Sequence, residues 1–425
     1  MKKYAAFLFF IFFPLMFITA QESDLYNWDI DSLFDEPPPE TADSGQYDTG
    51  SISDNVLSAI MKPGITFNAS YGFYGGISPG WDKAPWHFDG NEKFSWGQGI
   101  LMNSGISLDA RISESFRVFT SFSLQIPGSG GNIGTAALGN FYFDYDLFKA
   151  LYIRAGKYGH SWGISLNFGF TNLLSRIPEG GAGGSSYIFK VDIPIGVGGI
   201  QALAMTRSDI TGGVIPGFKD IGFGLKYNLA LRQVDFDLGA FYQQNMATRG
   251  FLSVKTTIFD VELYNEWLLA VNTHSDFGAS FAANLGFVKE FFGTTFTVNG
   301  EFFYNGEKSS NYYMPETSLE TAGTLLPGAS AFSHDITIAL NLLYRAGGWG
   351  SVRLFLQTLY SPLQSSAQLI PGIRITPFPH AEIYMAVPVA LGSEDSLYYR
   401  AAPAGRPFSF VFLISLSGSV KASFN

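Results

Sequence analysis

The sequence predicts an all-β fold: a transmembrane antiparallel β-barrel of about 18 strands, 16 being the other count it allows. Three observations predict it. From residue 64 onward apolar and polar residues alternate with a period of two. The N-terminus reads as an export signal. The apolar content is spread thinly along the chain, so no membrane helix is available to hold it.

Composition sets the bounds. The 425 residues are 46% hydrophobic and 16% aromatic against 15% charged, richer in aromatics and poorer in charge than an ordinary soluble domain. Beyond residue 20 no run approaches the roughly 18 consecutive apolar residues that a helical span requires. Cysteine is absent, which excludes disulfides, thiolate metal sites and a cysteine nucleophile, and suits an oxidising periplasm.

Residues 1–20 read as a secretory signal peptide. Lys2 and Lys3 make a basic start, Ala5 to Phe17 is an apolar stretch short for a span, and Ile18-Thr19-Ala20 ends on a small residue, with cleavage after Ala20. An uncleaved anchor is the alternative. Residues 21–60 follow as an acidic, disordered, periplasmic leader. Between Gln21 and Asn55 lie ten acids and no Lys or Arg, matching the net −10 of the whole chain and leaving the remainder close to neutral. With Pro37-Pro38-Pro39 and scattered Gly and Ser, it buries too little apolar surface to fold alone. Within it, Trp28-Asp29-Ile30-Asp31-Ser32-Leu33-Phe34 interleaves apolar anchors with acids. That piece fits a periplasmic partner of residues 21–55, a partial plug folded back into the barrel, or a solvated leader with incidental aromatics.

Residues 61–425 form the barrel. In the last segment Phe408, Phe410, Phe412, Ile414, Leu416, Val420, Ala422 and Phe424 share one parity, and Ser409, Ser415, Ser417, Ser419, Lys421 and Ser423 the other. One greasy face and one small or polar face is what a strand between lipid and a wet lumen demands. Phe223 to Leu231 and Val234 to Ala240 repeat the theme around one short turn, and residues 106–126 repeat it again. Short turns near 113–115, 148–149, 196–198, 232–235, 259–260, 291–293, 346–350 and 378–381 alternate with longer connections at 77–96, 127–137, 163–184, 208–221, 306–332 and 392–407. Short periplasmic turns and longer outer loops match this class, and both chain ends then fall on the periplasmic side. A soluble two-sheet sandwich is the rival architecture, but it explains neither the export signal nor so aromatic a face.

A barrel of this size leaves an aqueous lumen, so permeation is the default expectation. A charge girdle on the inner wall is expected from Arg111, Arg117, Asp144, Asp146, Arg154, Lys190, Asp192, Lys226, Arg232, Asp235, Asp237 and Arg353. The turn at 148–149 places Asp144 opposite Arg154, and Arg111 falls opposite Arg117 near the same rim. Opposed like charges need acids beside them, which Asp144 and Asp146 supply. The girdle is read either as a selectivity filter or as a structural ladder of mutually satisfied charges. Constriction-loop candidates are Trp81, Trp86 and Trp96 in the first long loop. The run Gly180-Gly181-Ala182-Gly183-Gly184 offers a second. Mobile surface loops, or an interfacial aromatic belt, are the alternatives.

Other chemistry finds little support. The five histidines, His87, His160, His274, His334 and His380, are scattered and read as solvated loop residues, and no GxSxG elbow, HExxH helix, phosphate loop or basic nucleic-acid stripe occurs. No cofactor, metal or nucleic-acid partner is expected.

The alternating barrel with its signal and acidic leader resembles the poorly characterised outer-membrane barrels of spirochaetes. Arg154-Ala155-Gly156-Lys157-Tyr158 followed by Trp162-Gly163 is similar to a strand-to-loop pattern in porin-like families. The functional expectation is an outer-membrane, porin-like channel for small polar solutes, in contact with outer-membrane lipid and with the assembly machinery that reads a terminal aromatic strand. A non-conducting adhesin or envelope scaffold is the alternative. A fatty-acid-type channel is the third reading, although the Asn-Pro-Ala start of its N-terminal hatch is absent.

Overall fold

A computed structural model describes residues 63–127, 135–148, 150–160, 162–166, 186–206, 217–218, 221–244, 248–272, 278–293, 295–306, 335–346, 351–400, 402 and 406–424. The expectations on the signal and leader, on the Gly180–Gly184 run and on His274 and His334 fall outside these residues.

The strands are β1 (Gly64–Trp81), β2 (Phe94–Ser113), β3 (Phe116–Pro127), β4 (Thr135–Leu147), β5 (Leu151–Tyr158) and β6 (Ser186–Ile195). They continue as β7 (Gly198–Thr206), β8 (Ile221–Leu231), β9 (Val234–Gln243), β10 (Thr248–Ile258), β11 (Val261–Asn272) and β12 (Gly278–Phe291). The last six are β13 (Phe296–Asn305), β14 (Asp335–Ala346), β15 (Ser351–Ser361), β16 (Ser366–Phe378), β17 and β18. β17 comprises Ala381–Ala386 and Val389–Leu391, broken at Pro388, whose missing N–H cannot join the ladder. β18 comprises Phe408–Ser409 and Val411–Phe424.

Each strand pairs antiparallel with its sequence neighbours, and β18 returns to β1 through Phe73↔Leu416 while β1 also pairs β2 through Phe73↔Met102. The result is a closed barrel of 18 strands. Closure satisfies every ladder edge internally, the condition for a sheet to sit in hydrocarbon. No helix among the described residues is long and apolar enough to cross a membrane.

Strand alternation sorts the side chains. Phe67, Ile106, Phe122, Phe143, Phe189, Leu225, Leu238, Leu285, Tyr344 and Leu416 share the outward parity of successive strands and are exposed, giving an apolar outer band. The other parity points inward. The turns on the rim that carries both barrel ends are tight, with left-handed backbone at Phe148 (φ 58°), Arg232 (φ 53°), Phe259 (φ 52°) and Phe292 (φ 55°). Such conformations match the right-handed twist of the flanking strands.

One predicted boundary is corrected. The 77–96 connection shrinks to residues 82–93, because Ile77 to Trp81 and Phe94 to Gln98 pair with one another. The ladder extends through Pro79 because its carbonyl still accepts from Phe410 N–H at 2.9 Å. Trp81 and Trp96 are therefore strand residues.

Candidate functional site: the lumen

Inward positions of β2 to β6, β8 and β9 carry a belt of charge, with Gln201 of β7 between them donating to Asp192 at 2.7 Å. Arg117 on β3 donates to both oxygens of Asp109 on β2 at 2.8 Å and to Asp144 on β4 at 3.3 Å. Arg154 on β5 donates to Asp144 at 2.6 and 3.1 Å, and its guanidinium lies 4.5 Å from the Tyr142 ring centroid. The belt continues with Lys190–Asp192 at 2.8 Å on β6 and Lys226–Asp237 at 3.1 Å between β8 and β9. The registers Asp144↔Arg154 and Arg111↔Arg117 agree with the spacing argument. Around this belt, at the inner rim, opens a cavity of about 340 Å³ whose lining includes Arg111, Arg117, Asp144, Asp146, Arg154, Lys190 and Asp192. Four bases and four acids line it, so the wall is polar without a dominant sign.

The remaining expected residues separate. Asp235 is exposed at an inward position near the rim, while Arg232 is an exposed turn residue between β8 and β9. Arg353 faces inward on the far wall, opposite Arg345 and Arg374. Trp86 and Trp96 are exposed, and Trp81 packs on the outward-parity rings of Phe94 and Phe408, with centroids 5.0 and 5.4 Å away. Trp81, Phe94, Trp96 and Phe408 take the outward parity at the outer rim.

The segment that enters the lumen follows β5. Trp162, 2% exposed, donates its indole N–H to Gln201 Oε1 at 2.5 Å and lies with its ring 5.6 Å from Phe251. Gly224 leaves it room, since a Cβ there would stand 2.6 Å from the indole. Two carboxylates then clamp the backbone. Glu266 on β11, fully buried, accepts from the N–H groups of Ile164 at 2.6 Å and Ser165 at 3.1 Å, and from the hydroxyls of Ser165 and Ser253. Glu301 on β13 accepts from Leu166 N–H at 2.6 Å and from the Tyr264 hydroxyl at 2.5 Å. Three orphan backbone donors thereby find charged acceptors, a strong and directional arrangement. Around the segment Ile188, Leu203, Met205, Phe241, Phe251, Leu268 and Phe303 form an apolar inner wall that Tyr398, from the single helical turn Leu397–Arg400, also joins.

Two readings change here. His160 is not a solvated loop histidine: its Nε2 lies 2.9 Å from Gln201 Oε1, and burial holds its imidazole below the ordinary pKa. Glu266 was not singled out from the sequence, although it is an acid flanked at its own parity by Tyr264, Leu268 and Ala270. A charge inside an apolar half-strand is the signal that could have found it.

No family model matches the sequence, and no curated protein matches it either. The fold has counterparts among solved structures from Pseudomonas aeruginosa. OpdO aligns with a TM-score of 0.52 at 10% identity over 84% of this chain and 97% of its own. OpdK, solved with vanillate, gives 0.53 at 8% identity over 84% and 99%. OccK2 (OpdF), solved in complex with glucuronate, gives 0.53 at 9% identity over 83% and 98%. At such identities the likeness establishes a shared barrel fold.

Proposed function

We propose that this chain is an outer-membrane channel through which small polar solutes diffuse passively, exported by a cleaved signal at residues 1–20. The observation that carries this reading is the set of ion pairs Asp109–Arg117–Asp144–Arg154, Lys190–Asp192 and Lys226–Asp237 on the inside of a closed barrel. Ion pairs that satisfy one another keep a wall wet without trapping an ion of either sign. A purely structural core would instead be filled with apolar side chains.

The segment at 162–166 narrows the path beside an aromatic wall, which favours compact solutes over extended ones. Solutes of the dimensions of vanillate and glucuronate, with which two fold neighbours were solved, are the natural first probes. The apolar outer band is the surface for outer-membrane lipid, and β18, with Phe424 near its end, is the strand offered to the assembly machinery.

Purified full chain in planar bilayers tests the proposal. Discrete conductance steps, reduced by millimolar vanillate or glucuronate, are expected. A folded barrel that is electrically silent and impermeable to both in liposome swelling overturns it.

A further inference from the structure

The tight turns of the rim that carries both barrel ends hold side chains that the turns themselves do not ask for. Phe259 and Asp260 make the two-residue turn between Ile258 of β10 and Val261 of β11, and both are left-handed, at φ 52° and 57°. Phe292 (φ 55°) precedes the left-handed Gly293 between β12 and β13, and Phe148 (φ 58°) follows β4. Positions of this kind favour Gly, Asn and Asp, because a Cβ crowds the neighbouring carbonyl in left-handed backbone. An aromatic ring there gains nothing from the turn. Nor is it packed on the barrel: Phe148, Phe259 and Phe292 are 89%, 91% and 87% exposed. Val197 between β6 and β7 and Phe378 at the end of β16 add two more exposed apolar groups at the same rim. The turns at Glu114 and Arg232 stay polar.

Two observations say what covers these rings. The first is their distribution. The apolar groups stand at the β4–β5, β6–β7, β10–β11, β12–β13 and β16–β17 turns, and the widest interval without one, from β17 through β18, β1, β2 and β3 to β4, is six of 18 strands. A protein partner docks on one sector of a rim, whereas a membrane surface meets the whole circumference. The apolar outer band runs into the same ring, since Ile112, Leu231, Ile258 and Phe291 at the strand ends are exposed at outward positions. The second is Lys289. It takes the outward parity between Val261 and Val298, yet sends its ammonium to the carbonyls of Phe259 and Asp260 at 3.1 Å each, 5.8 Å from the Phe291 ring centroid. A lysine that leaves an apolar face for polar groups marks the level at which hydrocarbon gives way to headgroups. That level is the Phe259 turn.

We propose that Phe148, Phe259 and Phe292 insert into the boundary between headgroups and acyl chains of the phospholipid leaflet on that side, so that the turns set the barrel's depth in the bilayer instead of standing in water. The proposal concerns the outer surface and not the lumen, so it stands whether or not the barrel conducts.

The sign of a stability change tests it. Asn suits a left-handed turn better than Phe does, so in Phe148→Asn/Phe259→Asn/Phe292→Asn a purely local role predicts an unfolding midpoint in urea equal to the parent's or higher. Lipid insertion predicts the opposite for the full chain in phosphatidylcholine liposomes. The midpoint falls and the folding equilibrium constant drops about tenfold per ring, as for withdrawing roughly half a phenyl group's burial from lipid. Phe148→Cys, Phe259→Cys and Phe292→Cys, each labelled singly with a bimane dye in this cysteine-free chain, report location directly and do not require the triple variant to fold. Quenching by a nitroxide carried on the lipid headgroup, with little quenching by aqueous iodide, is expected at all three. An unchanged or raised midpoint in the folded triple variant overturns the proposal. Labels that iodide quenches as fully as the free dye also overturn it, and leave the rings to a soluble partner.

Discussion

The clamp on residues 164–166 gives the sharpest test of the lumen geometry. In Glu266→Gln the side chain keeps its shape but loses its charge, and one acceptor oxygen becomes an amide donor facing the N–H of Ile164 or Ser165. A hydrogen bond to an ionised partner is worth about 1.5–3 kcal/mol. Losing one outright and weakening its neighbour costs about 3 kcal/mol, because full burial at Glu266 offers no water in compensation. About 3 kcal/mol is roughly two decades in the docked-to-released ratio. The assay uses Ile164→Cys in this cysteine-free chain and a bulky water-soluble maleimide, whose labelling rate follows the released fraction when opening is fast. The expected outcome is labelling faster by roughly 100-fold in Glu266→Gln than in the parent, with larger single-channel steps. A labelling rate equal to the parent's, in barrels that keep their folded gel mobility, refutes the clamp.

Asp144→Asn removes the carboxylate shared by Arg117 and Arg154; both pairs are partly exposed, so the stability loss is only about 1–2 kcal/mol, while the reversal potential in a salt gradient shifts toward anions. Gly156→Ala should yield no folded barrel in a gel-shift assay, because Gly156 has φ 141° and an added Cβ would collide with the Phe141 carbonyl. His160 has its pKa lowered chiefly by burial, with Lys190 and Lys226 adding to that and Gln201 and Asp192 opposing. The folded form then binds fewer protons below about pH 6.5, so its contribution is complete above that value and declines as the pH falls toward the folded pKa. The barrel's unfolding temperature should fall between pH 7.5 and 5, and His160→Gln should remove part of that fall.

The sequence by itself determined the membrane-facing half of this protein. Outward residues are mostly apolar and inward ones are free to differ, so a period of two survives in Phe408 to Phe424 and again in Phe223 to Ala240, and it forces strands and parity together while leaving the strand number at 18 or 16. Tight inner turns could be placed because they interrupt that period, and the turn at 148–149 was enough to bring Asp144 opposite Arg154. Tertiary structure alone decided what fills the lumen. Glu266 meets Ile164 across 102 positions and Glu301 meets Leu166 across 135, and no local pattern encodes such a pairing. The loop entering the barrel is selected by where unsatisfied backbone donors find buried carboxylates, a matter of three-dimensional proximity. That Arg345, Arg353 and Arg374 stand side by side is legible only once β14, β15 and β16 are in register. Alternation is a one-dimensional consequence of lipid on one side and water on the other, whereas the contents of the lumen follow from contacts between distant strands.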